Sequence, residues 1–223
     1  MTIETKQSIV SARIVHDSCS GNPQDEWDMV SKFWTIGYRN DSQKDSFEKY
    51  LQDELADLFS ENLELFYDFI VSHCLQSEFL ESREYNCDSI HDMMETLDLS
   101  ELVEEVEKHG WIVTFSNIDM GCDAYGIIEP CQIIEEWGCS TDAKDKAQKC
   151  ADAEMRCYSA WARGECYGFI IESTTHCEHC GEDSTQEIDS CYGFYGMDID
   201  GMVGNAGEEY REIITEAFEH IEY

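Results

Sequence analysis

Apolar residues recur along this chain with two different periods, and the place where the period changes divides it. Phe47, Tyr50, Leu51, Leu55, Leu58 and Phe59 are spaced as the stripe of an amphipathic helix. Asp53, Asp57, Glu61 and Glu64 carry its polar side. A second helix is predicted through Leu63, Phe66, Tyr67, Ile70, Val71 and Leu75, apolar over so wide a face that burial is expected. Residues 89–108 predict a third. Met94, Leu97, Leu102, Val103 and Val106 face inward there, Glu101, Glu104, Glu105 and Glu107 outward, and His109-Gly110 supplies the stop.

The period then shortens. Residues 111–115 (WIVTF) and 124–129 (AYGIIE) predict strands joined by a turn containing Met120, Gly121, Cys122 and Asp123. Pro130 opens a short helix reaching Trp137, and a longer one runs from about Asp142 to Arg163, where Gly164 ends it. Residues 165–173 and 190–195 predict two more strands around a loop holding His176, Cys177, His179 and Cys180. A closing helix places Tyr210, Ile213, Ile214, Ala217, Phe218 and Ile221 inward and Glu209, Glu212, Glu216 and Glu219 on an outer rail. Residues 8–15 partly alternate, which predicts an early strand, and 17–45 read as irregular but packed. The expected fold is α+β, a small antiparallel sheet packed with several helices. It is expected as a single domain, 1–223, from which an acidic helical insert, 45–109, stands out as a subdomain.

Charge changes this picture. The chain of 223 residues has 49 acidic and 14 basic residues, a net charge of −35. Such a surplus excludes nucleic-acid binding by phosphate neutralisation, which needs a basic footprint. Disorder is excluded by the 42% of hydrophobic residues, the 12% of aromatics and a content of only 2 prolines. The charge is unevenly spread. Residues 50–107 hold 17 acids against Arg83 alone, and 164–223 hold 15 against Arg211 alone, whereas 141–163 have 4 acids and 5 bases. The 12 cysteines would suggest a disulfide framework in a short secreted chain. Without a secretory start they are expected to be reduced thiols in a cytosolic protein, and no stretch approaches a membrane span.

Four segments carry a resemblance: Gln24 to Asn40, Ala124 to Glu129, Glu154 to Ile171, and Asp189 to Gly196. The last two are the most specific. One is a helix ending in Gly-Glu that enters a Tyr-Gly-Phe strand; the other is the box Asp-Ser-Cys-Tyr-Gly-Phe-Tyr-Gly. Together these segments cover 49 of the 223 residues and resemble a family of uncharacterised accessory proteins of bacteriophages and plasmids. The resemblance implies a mobile-element setting rather than an activity, and it leaves out the acidic insert.

The anionic rails are the first candidate chemistry. Like charges at i,i+4 weaken a helix, and a solvated face usually mixes signs. Residues at i,i+4 stand about 6 Å apart along a helix axis, comparable to phosphate spacing. At about one charge per 1.7 Å of duplex, a net charge of −35 equals that of about 18 base pairs. The composition is similar to that of DNA-mimic anti-restriction proteins. It implies an inhibitor of a basic nucleic-acid-binding host protein, working through Asp53, Asp57, Glu61, Glu64, Glu101, Glu104, Glu105, Glu209, Glu212, Glu216 and Glu219, with no catalytic residue and no direct binding of nucleic acid or membrane.

The second candidate is zinc. Cys177 and Cys180 have the spacing of a zinc knuckle, and Cys166, His176, His179 or Cys191 could complete a tetrahedral site. This supports an alternative reading, a zinc-supported adaptor or regulator whose acidity is not the binding determinant. Asp198-Ile199-Asp200-Gly201 resembles part of a calcium loop, but glycines would occupy positions 1 and 12, so a plain acidic turn is expected. Cys122 and Cys191 are the only candidate nucleophiles, each more readily explained by packing. The basic cluster Lys144, Lys146, Lys149, Arg156 and Arg163 could meet an acidic surface of a second copy and so support a homodimer.

Overall fold

Adjacent residues at the start of strand β3, Ile112–Asp119, serve two different cores, Ile112 one and Val113 the other. The computed structural model describes residues 8–37, 41–72, 87–119, 121–177 and 179–221, with the side chains of 41–45 and 87–89 set aside. Tyr38, Leu75, Met120 and Glu178, which belong to segments discussed above, lie outside the described residues. The chain forms two compact units: a central one, Val30–Met155, and a terminal one made of residues 1–29 and 156–223. The division falls inside one long helix, Ala143–Ala162.

The central unit is built on a three-stranded antiparallel sheet in the order β2, β4, β3, where β2 is Lys32–Gly37 and β4 is Cys122–Ile128. On one face Trp34, Ile36, Tyr125, Ile127, Trp111 and Val113 pack against helices α2 (Asp41–Glu61), α3 (Leu63–Ser72), α4 (Cys87–Met94) and α5 (Leu99–Lys108). On the other, Ile112 and Ile128 pack against α6 (Pro130–Trp137) and the first half of α7 (Ala143–Ala162). The period-2 side-chain alternation of a strand explains why adjacent residues serve different layers. Gly126 is needed at the centre: a Cβ there would lie 2.6 Å from a ring carbon of Phe33 and 2.8 Å from the Thr114 hydroxyl. The described helices of the acidic segment 45–109 share their core with the sheet.

Residues 89–108, expected as one helix, are two. Asp98 restarts the helix by a capping box: its carboxylate accepts the Glu101 N–H at 3.0 Å, and Glu101 accepts the Asp98 N–H at 2.9 Å. That reciprocal pair satisfies two N-terminal donors, which a continuous helix would leave to the preceding turn. Gly110, at φ 97°, then ends α5 as expected.

The terminal unit has its own antiparallel sheet, in the order β1 (Ser8–His16), β5 (Cys166–His176), β6 (Asp183–Tyr195). A short helix α1, Pro23–Glu26, follows β1. Helix α8 (Ile199–Ala206), a 3-10 turn at Glu208–Tyr210 and helix α9 (Arg211–Glu219) complete the unit. Tyr167, Phe169, Ile171 and Phe194 of the sheet bury Met202, Val203, Ile214 and Phe218 from α8 and α9. The expected acidic turn at 198–201 is the start of α8 instead, because Asp198 accepts the Gly201 N–H at 2.9 Å and caps the helix. The α+β class stands, with two small sheets instead of one.

Candidate functional site

The acidic rail of α9 is the most uniform surface in the terminal unit. Ile214 and Phe218 anchor the inner face of the helix, so the helical period turns Glu212, Glu216 and Glu219 to solvent. Glu208 and Glu209 extend the rail through the 3-10 turn, and together with Arg211 and Thr215 these glutamates line an open, shallow depression. Arg211 is spoken for. It holds Glu208 through two hydrogen bonds, 2.5 and 3.1 Å, and reaches Asp200 of α8 at 2.9 Å. These bonds hold the Arg211 guanidinium above its ordinary value, the Glu208 bonds ahead of Asp200, and hold the Glu208 carboxyl below its own. Glu212, Glu216 and Glu219 have no ion-pair partner among the described residues.

In the central unit the same logic exposes Asp57, Glu61 and Glu64 of α2 and α3 and Glu101, Glu104 and Glu107 of α5. Asp53 is half-buried, ion-paired with Lys49 at 3.6 Å and 3.6 Å from the ring of His91 of α4, and Glu104 pairs with Lys108 at 3.2 Å. Glu105 corrects the expected pattern. It is 4% exposed, with one carboxylate oxygen 3.1 Å from the His109 ring and the other accepting from Lys108 at 3.1 Å. It lies on the buried stripe with Leu102 and Val106 and serves as an internal tie at the end of α5. A basic residue and a histidine three and four positions ahead were the sequence signal for this role.

The knuckle cysteines sit in the loop joining β5 to β6. Cys177 N–H donates to Glu182 O at 2.9 Å and Gly181 N–H to Cys177 O at 2.8 Å, closing the hairpin. Two of the expected companions are too far away. Cys166 begins β5 and Cys177 follows its end, which at about 3.3 Å per residue puts them roughly 36 Å apart. Cys191 pairs in register with Phe169, near that same far end. His176 is held by Asp183 across the hairpin at 2.6 Å. Among the described residues, no group of three or more His, Cys, Asp or Glu could hold a metal ion.

The ten cysteines whose state is described are free thiols. Burial, helped by Asp119 and Asp123, pushes the Cys122 thiol up, the opposite of what activates a nucleophile. Cys191 packs beside the core of the terminal unit. The lysines of α7 are exposed, and Lys146 is tied to Asp142 at 2.8 Å. Among the described residues, no helix is long and apolar enough to cross a membrane.

Sequence reasoning missed a polar knot in the central unit. Glu129 accepts from the Lys32 ammonium at 2.5 Å, the Tyr50 hydroxyl at 2.6 Å and the Cys131 thiol at 3.4 Å. Burial works to raise the Glu129 carboxyl, but the hydrogen bonds from Lys32 and Tyr50 outweigh it and hold it below the usual range. Burial and the bond to Glu129 push the Tyr50 phenol well above its ordinary value. Because the folded state favours ionised Glu129, this contribution is present above about pH 4.3 and is lost as pH falls through the lower folded value. Glu54, raised by burial and by Glu129, acts in the opposite sense and reduces the slope. Tyr50 adds an alkaline limb, with stability falling as pH rises past about 10. Glu129→Gln is expected to cost about 1–3 kcal/mol at pH 7 and to flatten the acid limb in urea melts at pH 3–7. An unchanged limb would show that another group sets it.

The Asp189 to Gly196 box has a structural explanation. Tyr167 pairs with Phe194 and Phe169 with Cys191, with a bulge between these pairs. Gly193 takes φ 87° in the bulge, and a Cβ on Gly168 would lie 2.4 Å from the Tyr192 ring and 2.8 Å from Cys191 O. Tyr195 donates to Gly21 O at 3.2 Å and meets Trp27 edge-on at 4.9 Å. The glycine-aromatic pattern thus builds a strand pair rather than a ligand cage. In comparisons with known proteins, the chain matches no family model, no curated protein and no solved structure.

Proposed function

We propose that this chain is an anti-defence protein of a phage or other mobile element, a DNA mimic that occupies the nucleic-acid site of a DNA-binding host enzyme of the restriction or CRISPR kind. The observation that carries the reading is the exposed α9 rail, where Glu212, Glu216 and Glu219 have no ion-pair partner among the described residues. The exposed acids of α2, α3 and α5 provide a second set, and the central unit as a whole holds 29 acidic against 9 basic residues. A solubilising coat does not require unbroken rows of one sign, which cost helix stability. A surface evolved to meet a basic groove does.

The mechanism is electrostatic and needs no bond to be made or broken. Fixed carboxylates replace phosphates against the partner's lysines and arginines. The field steers the encounter, so association is fast and falls steeply with salt. In the bacterial cytoplasm, DNA and inhibitor compete for one site. The test uses the full chain as bait for bacterial lysate, with a salt gradient and then a duplex DNA challenge. Retention of a DNA-binding defence component that salt and DNA both release supports the reading. A partner indifferent to both would overturn it, and would leave the acidity without a role in recognition.

A further inference from the structure

Among the described residues the terminal unit has one unguarded sheet edge, and it adjoins an apolar groove. Strand β1 runs beside β5 without a register shift from Ser8↔Thr175 to His16↔Tyr167. One position further, Asp17 N–H donates to Cys166 O at 2.7 Å. Hydrogen-bonding direction alternates along an antiparallel pair. Counting back from Asp17, residues 15, 13, 11 and 9 therefore turn their backbone groups to β5. Val10, Ala12 and Ile14 turn theirs away from it, and no strand lies on that side among the described residues.

The same three residues line the groove. Val10, Ala12 and Ile14 face Ile213, Ala217 and Ile221 of the α9 region across a volume of about 950 Å³, with Glu216 and His220 also in its wall. Val10 is 38% exposed and neighbouring Ile9 71%. Natural sheets usually blunt such an edge with charge, proline or a bulge. The outer edge strand β6 is blunted in this way: it carries Asp183, Glu187 and Asp189 and breaks register twice. Strand β1 has no proline, no bulge and a single Lys or Arg, Arg13, which is paired with Glu172 at 3.5 Å.

We propose that this edge takes an extended segment of a partner protein, added as a fourth strand, with apolar side chains at every second position and lysine or arginine at its flanks. The main chain would pair with Val10, Ala12 and Ile14, and the apolar side chains would enter the groove, the usual division of labour in strand addition. Charge selects the occupant. The terminal unit holds 20 acidic and 5 basic residues, and Glu216 stands in the groove wall with Glu212 and Glu219 on the same helix. A second copy would bring a further −35 and its own Glu216 to the contact, whereas basic flanks are attracted to it. The strand-addition site rests on backbone geometry and an apolar groove and not on the DNA-site reading, although Glu216 of the same rail selects the charge of its occupant.

The probe is a labelled peptide, Lys-Lys-Val-Thr-Val-Thr-Val-Lys-Lys, against the full chain. Its controls are an isomer with the valines contiguous and a version with glutamate flanks. Binding is expected to protect the Val10, Ala12 and Ile14 amides from hydrogen exchange, and the contiguous isomer is expected to bind at least tenfold more weakly. In Val10→Pro, the lost N–H faces away from β5, so the ladder survives while affinity falls about tenfold. Glu216→Lys, which leaves the strand untouched, is expected to reverse the preference between lysine and glutamate flanks. Equal binding of both isomers, or protection confined to the acidic helices, would reduce the interaction to general charge attraction and overturn the proposal. A dimer in sedimentation that Val10→Pro dissolves would overturn it too, by showing that a second copy takes the edge.

Discussion

Phe59→Ala is expected to lower stability by about 3–5 kcal/mol, a large fraction of the roughly 5–15 kcal/mol that holds a domain folded. Phe59 is fully buried. Its ring meets Phe66 at 5.8 Å, Phe69 at 5.1 Å and His109, edge-on, at 5.5 Å. The side chain thus joins α2, α3 and the end of α5, and no neighbouring backbone is free to collapse into the space without shifting a helix. The consequence reaches the proposed binding surface because those helices carry Asp57, Glu61, Glu64, Glu104 and Glu107 on their outer faces. Urea melts followed by circular dichroism give the value, with an unchanged denaturant slope confirming that stability alone has moved. A loss below 1 kcal/mol would mean that the three elements are held together elsewhere.

The helical faces were legible because their signal is local. The stripe from Phe47 to Phe59 and the row Ile213, Ile214, Phe218 need only the 3.6-residue period, and the exposed rails follow by elimination. What escaped depended on pairing or on a single cap. Strand β2 (KFWTIG) has large side chains on both faces, since both are covered, so it shows no alternation. The break at Asp98 is one capping box inside an otherwise continuous stripe. Helix α8 was hidden by an aspartate spacing that suggests calcium.

The candidate chemistry divided along the same line. The glutamates of α9 were found by spacing, and Glu105 was misplaced because its partners, Lys108 and His109, outweigh its charge at a buried position. Cys166 and Cys191 seemed available to Cys177 only while the length of β5 was unknown. The Glu129 knot joins residues 32, 50, 129 and 131 from three elements, and no short window of sequence contains it. Local rules therefore located the charged faces, and the sheet register separated Cys166 and Cys191 from Cys177.

Neutralising a rail is expected to slow binding while leaving stability almost unchanged. Glu212→Gln, Glu216→Gln and Glu219→Gln together remove the i,i+4 repulsion between Glu212 and Glu216, a gain of a few tenths of a kcal/mol, and also a carboxylate favoured in the first turn of α9. The triple variant should therefore melt close to the parent. Association with the captured DNA-binding partner should instead slow by about tenfold at low salt, because the steering field is weakened, and its salt dependence should flatten. The matching variant in the central unit, Asp57→Asn, Glu61→Gln and Glu64→Gln, identifies which rail enters the partner's groove: only the engaged one should change the rate so much. Stopped-flow association at several salt concentrations makes the comparison. If both triple variants bind at the parental rate, the carboxylates are not phosphate substitutes, and the helix stability given up to keep them must be explained by something other than recognition. A rail that weakens its own helix yet governs the encounter would instead be what a surface shaped by a basic nucleic-acid groove requires.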